Sequence, residues 1–210
     1  KIDYEYKYIG IAPFTKDILK SKIGNTEITC APLPHTKMEV EETKAIFNTQ
    51  KTIIATDNDA YIGYPSSKQL KANIIHFGTH SISDKGNIYH FVKNQEGEPV
   101  YFTKDDLYRN PYLHCNLLVF NSCHSGEGKY SEGEGSMSIV RPILYQDISN
   151  VLVTLNSVPD NSSSELMLNF FKYVSEGDNY SIAINKAKRD IKNKGLFPMT
   201  WASYVFIGTD

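Results

Sequence analysis

Two stretches of the chain decide its fold: residues 73–81, NIIHFGTHS, and residues 116–126, NLLVFNSCHSG. Each begins with a continuous apolar run, which is typical of a strand buried on both faces of a parallel sheet. Each then passes into a short polar segment, which holds His80 in the first stretch and Cys123 in the second. Ligands of open parallel sheets bind beyond the carboxyl ends of the strands. We therefore expect His80 and Cys123 to emerge at one edge of a sheet, near enough for their side chains to meet.

The rest of the chain alternates strand and helix patterns. Apolar runs predict strands at 6–12, 52–55, 73–77, 88–92, 100–102, 116–120, 150–155 and 204–207. Apolar residues at helical spacing predict helices over 162–174 and 180–193, with shorter helices over 36–47 and 104–108. Since crossovers between parallel strands need helices, this order predicts an α/β sandwich around a mostly parallel central sheet.

Local signals refine these boundaries. Thr36 has the type and position of a helix N-cap, with Glu39 as its capping-box partner three residues later. Residues 93–99, which include Gly97 and Pro99, predict a hairpin turn. The glycine-rich loop 127–135, which follows Gly126, predicts a flexible segment beside the cleft.

Composition narrows the class of function. The chain has 210 residues and a formal net charge of -2, which gives no electrostatic signature for binding nucleic acid or an anionic membrane. It has no apolar run of about 20 residues that would span a bilayer. It has neither a metal-ligand spacing nor a phosphate-binding loop, so no cofactor and no metal are expected, and a nucleotide-binding domain is disfavoured.

The cysteine count suggests the compartment in which the protein works. An odd count of three cysteines argues against a disulfide framework and favours a reducing compartment, so we expect a cytoplasmic protein.

The sequence begins at Lys1 and stops just after a strand pattern. We expect residues 1–210 to form a single domain taken from a longer chain.

The thiol and the imidazole suit nucleophilic catalysis. A free thiol has a pKa near 8.5 and is only a few per cent ionised at neutral pH. A nearby imidazole, that of His80, can take the Cys123 proton and later give it to a leaving amine. The backbone N–H groups of Ser81 and Cys123 are the natural donors to a developing oxyanion. The alternative is structural, since a cysteine or histidine after a buried strand is commonly a packed core residue. His76 fits the structural interpretation, and His124 is a weaker partner for the thiol than His80.

The same residues resemble the CHAT domains, which are caspase-like peptidase domains in the clan of caspases, separase and gingipains. IIHFGTHS is similar to the family's histidine motif, HFATHG, and VFNSCHSG is similar to its nucleophile motif, LSACxTG. Further segments follow in the family's order, namely 133–139 (GEGSMSI), 155–160 (LNSVPD) and 198–210 (PMTWASYVFIGTD). The resemblance implies a caspase-like three-layer α/β/α sandwich with a sheet of about six strands. It also implies a cysteine endopeptidase with a Cys123–His80 dyad.

Three positions depart from the family pattern. Ser81 stands where the family usually has glycine after the histidine, and Ser122 replaces the alanine before the nucleophile. Asn156 replaces a tryptophan of the segment at 155–160. The first change leaves a backbone N–H for an oxyanion, and the third alters a wall of the substrate cleft.

Asp160 bears on the choice of substrate. It matches an acidic position that in separase and related members lies near the pocket for the residue preceding the scissile bond, P1. A carboxylate there favours arginine or lysine at P1. The alternative is that Asp160 is an N-cap of the helix that follows.

The expected partners are therefore protein or peptide substrates, with a regulatory repeat domain or another activating partner in a regulated or signalling role. The competing hypothesis is a catalytically inactive caspase-like domain that serves as a protein-binding module.

Overall fold

The computed structural model describes residues 4–47, 51–64, 69–109, 113–123, 125, 139–146 and 148–209. The strands are β1 (Tyr6–Ala12), β2 (Leu19–Ile23), β3 (Thr26–Cys30), β4 (Thr52–Thr56), β5 (Leu70–Gly78), β6 (Ser81–Asp84), β7 (Asn87–Lys93), β8 (Pro99–Phe102), β9 (Leu113–Asn121), β10 (Asn150–Thr154) and β11 (Tyr204–Gly208). The helices are α1 (Pro34–Ile46), α2 (Lys104–Arg109), α3 (Val140–Tyr145), α4 (Asp160–Ser175), α5 (Tyr180–Asn193) and α6 (Pro198–Ala202), with a 3-10 helix at Asp57–Gly63.

A central sheet of six strands organises the molecule in the order β4-β1-β5-β9-β10-β11. All its pairings are parallel except that of β10 with β11. The middle strands β5, β9 and β10 are apolar on both faces because both faces are covered, which is why their sequences are continuous apolar runs. The predicted α/β class with a mostly parallel sheet is confirmed.

Two hydrophobic cores lie on opposite faces of this sheet. On one face, α1, α4 and α5 pack through a core that includes Phe170, Phe171 and Ala187. On the other face, the small sheet β6-β7-β8 and the helices α2 and α3 contribute Val92, Phe102 and other apolar residues to the second core. These layers form the three-layer α/β/α sandwich that the resemblance implied.

The predicted hairpin turn is confirmed at the connection between β7 and β8. These strands are antiparallel, and Asn94 N donates to Glu98 O at 3.0 Å. Gly97 adopts a φ of +80°, a left-handed conformation that glycine reaches without a steric penalty.

The predicted cap of α1 is wrong. The helix begins at Pro34, and Thr36 lies inside its first turn, where its hydroxyl donates to Leu33 O at 2.7 Å. Proline is well suited to the first helical position, because its missing N–H is not needed there. Glu39 is fully buried against the sheet and is not a capping-box partner.

The β2–β3 hairpin was not predicted. It is inserted between β1 and α1, and Gly24 in its turn has a φ of +57°. Residues 126–138, which hold the predicted cleft-side loop and most of the 133–139 segment, lie outside the described residues, as does His124. No helix among the described residues is both long and apolar enough to cross a membrane.

Candidate active site

His80 and Cys123 follow two adjacent strands of the central sheet. Strands β5 and β9 are parallel neighbours, and their last paired residues are Gly78 and Asn121. His80 and Cys123 each come two residues after that pair, and Thr79 N donates to Asn121 O at 3.4 Å beyond it. Because neighbouring strands are about 4.8 Å apart, both residues leave the sheet side by side at its carboxyl edge. The arrangement on which the predicted dyad depends is therefore present in the fold.

One hydrogen bond fixes the orientation of the His80 ring. Its Nε2 lies 3.0 Å from the carbonyl oxygen of Ala31, just after β3, and its ring centroid is 5.7 Å from that of Phe14. A carbonyl can only accept, so Nε2 carries the proton and Nδ1 is left as an acceptor. Burial lowers the pKa of His80 below the ordinary 6.5, and the bond to Ala31 offsets this only in part. At neutral pH the ring is uncharged and able to take a proton.

Cys123 is partly exposed and is not sealed in the core. Its Sγ lies 3.9 Å from the carbonyl oxygen of Val158, in the segment that leads from β10 to α4. Cys30, at the end of β3, lies near Cys123. Its pKa is raised, mainly by burial and to a smaller extent by the charge of Cys123. The β2–β3 hairpin and the β10–α4 segment therefore flank the thiol.

The backbone N–H of Ser81 points away from the strand that pairs with it. Ser81 is opposite His90 in the antiparallel pairing of β6 with β7. Phe91 N donates to His80 O at 3.0 Å, so His80 and Phe91 form a hydrogen-bonded pair. Because such pairs alternate along an antiparallel ladder, the next pair, Ser81 with His90, is a non-hydrogen-bonded pair. Since β6 is an edge strand, the Ser81 N–H faces the open side of the small sheet. The Ser81 N–H therefore does not donate to β7.

The turn that carries Cys123 is anchored to β10. The Thr154 hydroxyl donates a short hydrogen bond to the Ser122 carbonyl, and Thr154 N donates to Ser125 Oγ at 2.9 Å. Ser125 Oγ in turn donates to Phe120 O at 3.1 Å. The buried side chains of Thr154 and Ser125 thus tie the turn to the ends of β10 and β9, so the thiol has a fixed base.

A buried polar network lies beneath the same edge on the α1 side. The Asn121 side-chain amide donates to both carboxyl oxygens of Glu39 at 3.0 Å, and Tyr204 Oη donates to Asn121 Oδ1 at 2.8 Å. His76 Nε2 lies 2.8 Å from Glu39 Oε1, and its Nδ1 is 2.7 Å from Tyr8 Oη. All five side chains are buried, so His76 has the structural position predicted for it. The network fixes Asn121, which comes two residues before the thiol.

Asp160 does not cap its own helix. The N-cap residue of α4 is Pro159, and no side chain caps that helix. Asp160 instead accepts a hydrogen bond from His35 N at 3.0 Å, so its Oδ2 caps the N-terminus of α1. Burial raises the pKa of Asp160, and the bond from His35 opposes that rise. Its other oxygen, Oδ1, is buried with no hydrogen-bond partner among the described residues.

An open groove of about 520 Å³ is lined by the chain neighbours of Asp160, Pro159 and Asn161, although not by Asp160 itself. It lies between the N-termini of α1 and α4 and the α5–α6 connection, and Pro159, Met38 and Phe197 are among its lining residues. Phe197 is 81% exposed. Asn156, at the predicted cleft wall, is exposed and donates to Ser203 Oγ at 3.4 Å.

Sequence reasoning missed two features of this site. The carbonyl of Ala31 is backbone, so no residue type could indicate its contact with His80. The hairpin that delivers it was detectable, because Leu19, Ser21 and Ile23 alternate with lysines before Gly24-Asn25. The role of Glu39 was hidden because its position resembled a capping box.

The fold and this edge define a caspase-like peptidase domain. A partly exposed thiol and an uncharged imidazole follow neighbouring strands of a mostly parallel sheet, with helices on both faces. The chain belongs to the CHAT domain family, whose model matches residues 19–209. This match confirms the family resemblance seen in the sequence.

Two solved structures are similar to the chain at low identity. One is the Arg-specific cysteine proteinase gingipain R, with a TM-score of 0.49 and 8% identity over 96% of this chain and 45% of that one. The other is the complex of the pro- and mature domains of RgpB from Porphyromonas gingivalis, with a TM-score of 0.46 and 9% identity over 96% of this chain and 47% of that one. The chain spans less than half the length of either structure. Comparison with proteins of curated function gives no significant match.

Proposed function

We propose that the protein is a cysteine endopeptidase that hydrolyses peptide bonds with Cys123 as nucleophile and His80 as proton carrier. The observation that carries the proposal is the register of β5 and β9, which brings both residues to one sheet edge. The bond from His80 to Ala31 supports it, because that bond leaves Nδ1 free to accept a proton. The exposure of the thiol supports it as well, because a substrate can reach it.

The proposed reaction has two halves. His80 takes the proton of the Cys123 thiol while the sulfur attacks the substrate carbonyl carbon, and the carbonyl oxygen becomes an oxyanion that the N–H groups of Ser81 and Cys123 stabilise. The C–N bond breaks as the imidazolium gives its proton to the leaving amine. In the second half, water gives a proton to His80 and its oxygen bonds to the thioester carbon. The C–S bond then breaks, which releases the acid, and the sulfur takes the proton back from His80.

Labelling with a peptidyl ketone electrophile tests the nucleophile. We expect the protein to form one covalent adduct that is lost in Cys123→Ala, and peptide hydrolysis to fall by about 10⁴-fold or more in the same variant. Cys30→Ala is the matched control, because it removes a neighbouring thiol outside the dyad and keeps the adduct. No Cys123-dependent adduct, in this domain or in the full-length chain, contradicts the proposal and favours the protein-binding module.

We further propose cleavage after a basic residue at P1. Asp160 supports this preference, because its half-buried carboxyl comes just after the segment that contacts the thiol. Its Oδ1, which has no hydrogen-bond partner among the described residues, would gain a hydrogen bond from a guanidinium or ammonium group.

The P1 preference is measured on peptides that differ only at P1, with arginine, lysine, glutamine, leucine or aspartate. Asp160→Asn keeps an oxygen that can cap α1 but removes the charge, so we expect the preference for arginine over glutamine to fall by about tenfold or more. Turnover only after apolar or acidic residues, or an unchanged preference in the variant, contradicts this part of the proposal.

A further inference from the structure

Two residues that depart from the family pattern are direct partners in the structure. Ser81 replaces a glycine after the histidine, Ser122 replaces an alanine before the nucleophile, and their hydroxyl oxygens are 2.7 Å apart. Both side chains are almost fully buried, at 3% exposure each. Ser81 belongs to the histidine loop and Ser122 to the nucleophile turn, so the bond ties together the two segments that hold the dyad.

His90 anchors this pair on the small sheet. Its Nδ1 lies 2.8 Å from Ser81 Oγ. The ring is fully buried, with its centroid 5.3 Å from that of Phe102 in a stacked arrangement and 4.8 Å from that of Phe120. Burial lowers the pKa of His90 to about 3, so the ring is uncharged at neutral pH. An uncharged imidazole can act toward Ser81 Oγ as donor or acceptor, depending on its tautomer.

The nucleophile turn is anchored from its other side. The Ser122 carbonyl accepts the Thr154 hydroxyl from β10, while the Ser122 side chain meets Ser81. Ser122 is therefore held between β10 and β6, and the spacing of Ser81 from Cys123 depends on the hydroxyl pair. The N–H groups of these two residues are the proposed oxyanion donors.

We propose that the Ser81–Ser122 hydrogen bond, anchored on His90, is a positioning device that sets the spacing of the two oxyanion donors. This inference rests on the proposed function and adds positioning residues to it. Within the part of the chain that the structure describes, neither hydroxyl is hydrogen-bonded to Cys123 Sγ or to the His80 ring. In this proposal the bond keeps the histidine loop and the nucleophile turn in register, so that the Ser81 N–H and the Cys123 N–H can donate to one oxygen atom.

Two reagents separate the oxyanion donors from the nucleophile. A peptide aldehyde forms a bond between Cys123 Sγ and its carbonyl carbon, and its oxygen then occupies the oxyanion site. Iodoacetamide forms an S–C bond and releases iodide, so its rate depends on the thiolate and needs no oxyanion donor. Aldehyde affinity, kcat, KM and the alkylation rate are measured for the unaltered protein, Ser81→Ala, Ser122→Ala and the double variant.

We expect each single substitution to weaken aldehyde binding and lower kcat by about tenfold, with KM and the alkylation rate unchanged. The double variant is expected to lose no more than the larger single loss, because either substitution already breaks the bond. Ser83→Ala, at an exposed position of the same strand, is the control and keeps the unaltered values.

Three outcomes overturn the inference: aldehyde affinity and kcat that do not change, losses that add in the double variant, or alkylation slowed in proportion to kcat. An unchanged alkylation rate shows that a variant is folded around the thiol. If a single variant does not fold, the double variant replaces it, because removing both serine hydroxyls leaves neither of them without its partner. Full aldehyde affinity in the double variant overturns the inference. If the unaltered protein forms no Cys123-dependent aldehyde adduct, the proposed function itself fails, which the other outcomes do not imply.

Discussion

His80 is held so that one nitrogen is fixed and the other is available. Its Nε2 bonds to Ala31 O, and burial lowers its pKa. A general base must be unprotonated, so activity falls as the pH drops through this pKa. We predict that the acidic limb of kcat/KM for the free enzyme has its midpoint below pH 6.5. A pH profile with a saturable peptide measures it.

A substitution of Phe14 provides the comparison variant for this prediction. Phe14 is 1% exposed and lies beside the His80 ring, so it contributes to the desolvation of the imidazole. Phe14→Leu places a smaller side chain beside the His80 ring, so the imidazole is less desolvated. The midpoint of the acidic limb should therefore rise toward pH 6.5 in this variant. A midpoint at or above 6.5 in the unaltered protein would contradict the assignment of a buried neutral base.

His90 makes stability depend on pH. Its pKa of about 3 in the folded protein lies below the 6.5 of a free histidine. Above pH 6.5 the ring is neutral in both states, and between 6.5 and 3 only the unfolded chain takes up the proton. We predict that this residue lowers the free energy of unfolding by about 1.4 kcal/mol for each pH unit below 6.5. Urea unfolding at several pH values measures the slope.

His90→Phe isolates that contribution. Phenylalanine keeps an aromatic ring between Phe102 and Phe120 but cannot bind a proton. Between pH 6 and pH 4, the free energy of unfolding of the variant should change with pH less steeply, by about 1.4 kcal/mol per pH unit. At pH 7 the variant should be less stable than the unaltered protein, because Ser81 loses a partner. Equal slopes in both proteins would show that the His90 ring is protonated in the folded state.

At the scale of elements, the buried carboxyl group of Glu39 adds a polar link from α1 to two strands of the sheet. Glu39 is fully buried and contacts Asn121 on β9 and His76 on β5. We predict that Glu39→Ala lowers the free energy of unfolding by about 3–5 kcal/mol, because it leaves two buried polar groups without their partner. Chemical denaturation measures the loss.

Two further variants at α1 give this prediction its controls. Glu39→Gln keeps an oxygen that can accept from Asn121, so its loss should be smaller than that of alanine. Glu42→Ala changes an exposed glutamate of the same helix and should stay within about 0.5 kcal/mol of the unaltered protein. A loss in Glu39→Ala no larger than that in Glu42→Ala would mean that the network does not hold α1.

The sequence predicted elements well where one signal was strong. Strand β1 and helix α5 have the predicted bounds, because the first is a buried apolar run and the second has regular helical spacing. The start of α1 was misplaced because Thr36 and Glu39 imitate a capping box, whereas Pro34 marks the first turn. The β2–β3 hairpin was missed because its apolar face, which holds Leu19, Ile23 and Ile28, is interrupted by polar residues, Ser21 and Thr26.

At the scale of the whole molecule, the sequence predicted which residues reach the edge but not what surrounds them. Parallel strands must end at one edge, so the placement of His80 and Cys123 followed from two apolar runs. The contacts of Ala31, Asp160 and Ser122 join segments far apart in the chain, and no local pattern contains that information. The P1 preference and the cytoplasmic location stay predictions.

Cys115 reports on the integrity of the whole sheet. It lies on β9 opposite Ala72 of β5, so it belongs to the central pair of strands. It is 3% exposed, and burial raises its pKa well above that of a free thiol. An alkylating reagent needs both access and the thiolate, so Cys115 can react only after β5 and β9 separate or the layers over them open.

We predict that Cys115 in the folded protein is alkylated more slowly than in the unfolded chain by about 10³-fold or more, since domains of this size are stable by at least about 5 kcal/mol. The experiment uses the Cys30→Ala, Cys123→Ala double variant, in which Cys115 is the remaining thiol. Trp201, the single tryptophan, lies on α6 outside the sheet and provides an independent fluorescence signal. If the layers and the sheet unfold as one unit, Cys115 reactivity and Trp201 fluorescence change at the same urea concentration. A thiol that becomes reactive before the fluorescence changes would show that the sheet opens while α6 stays packed, and the fold would then consist of more than one cooperative unit.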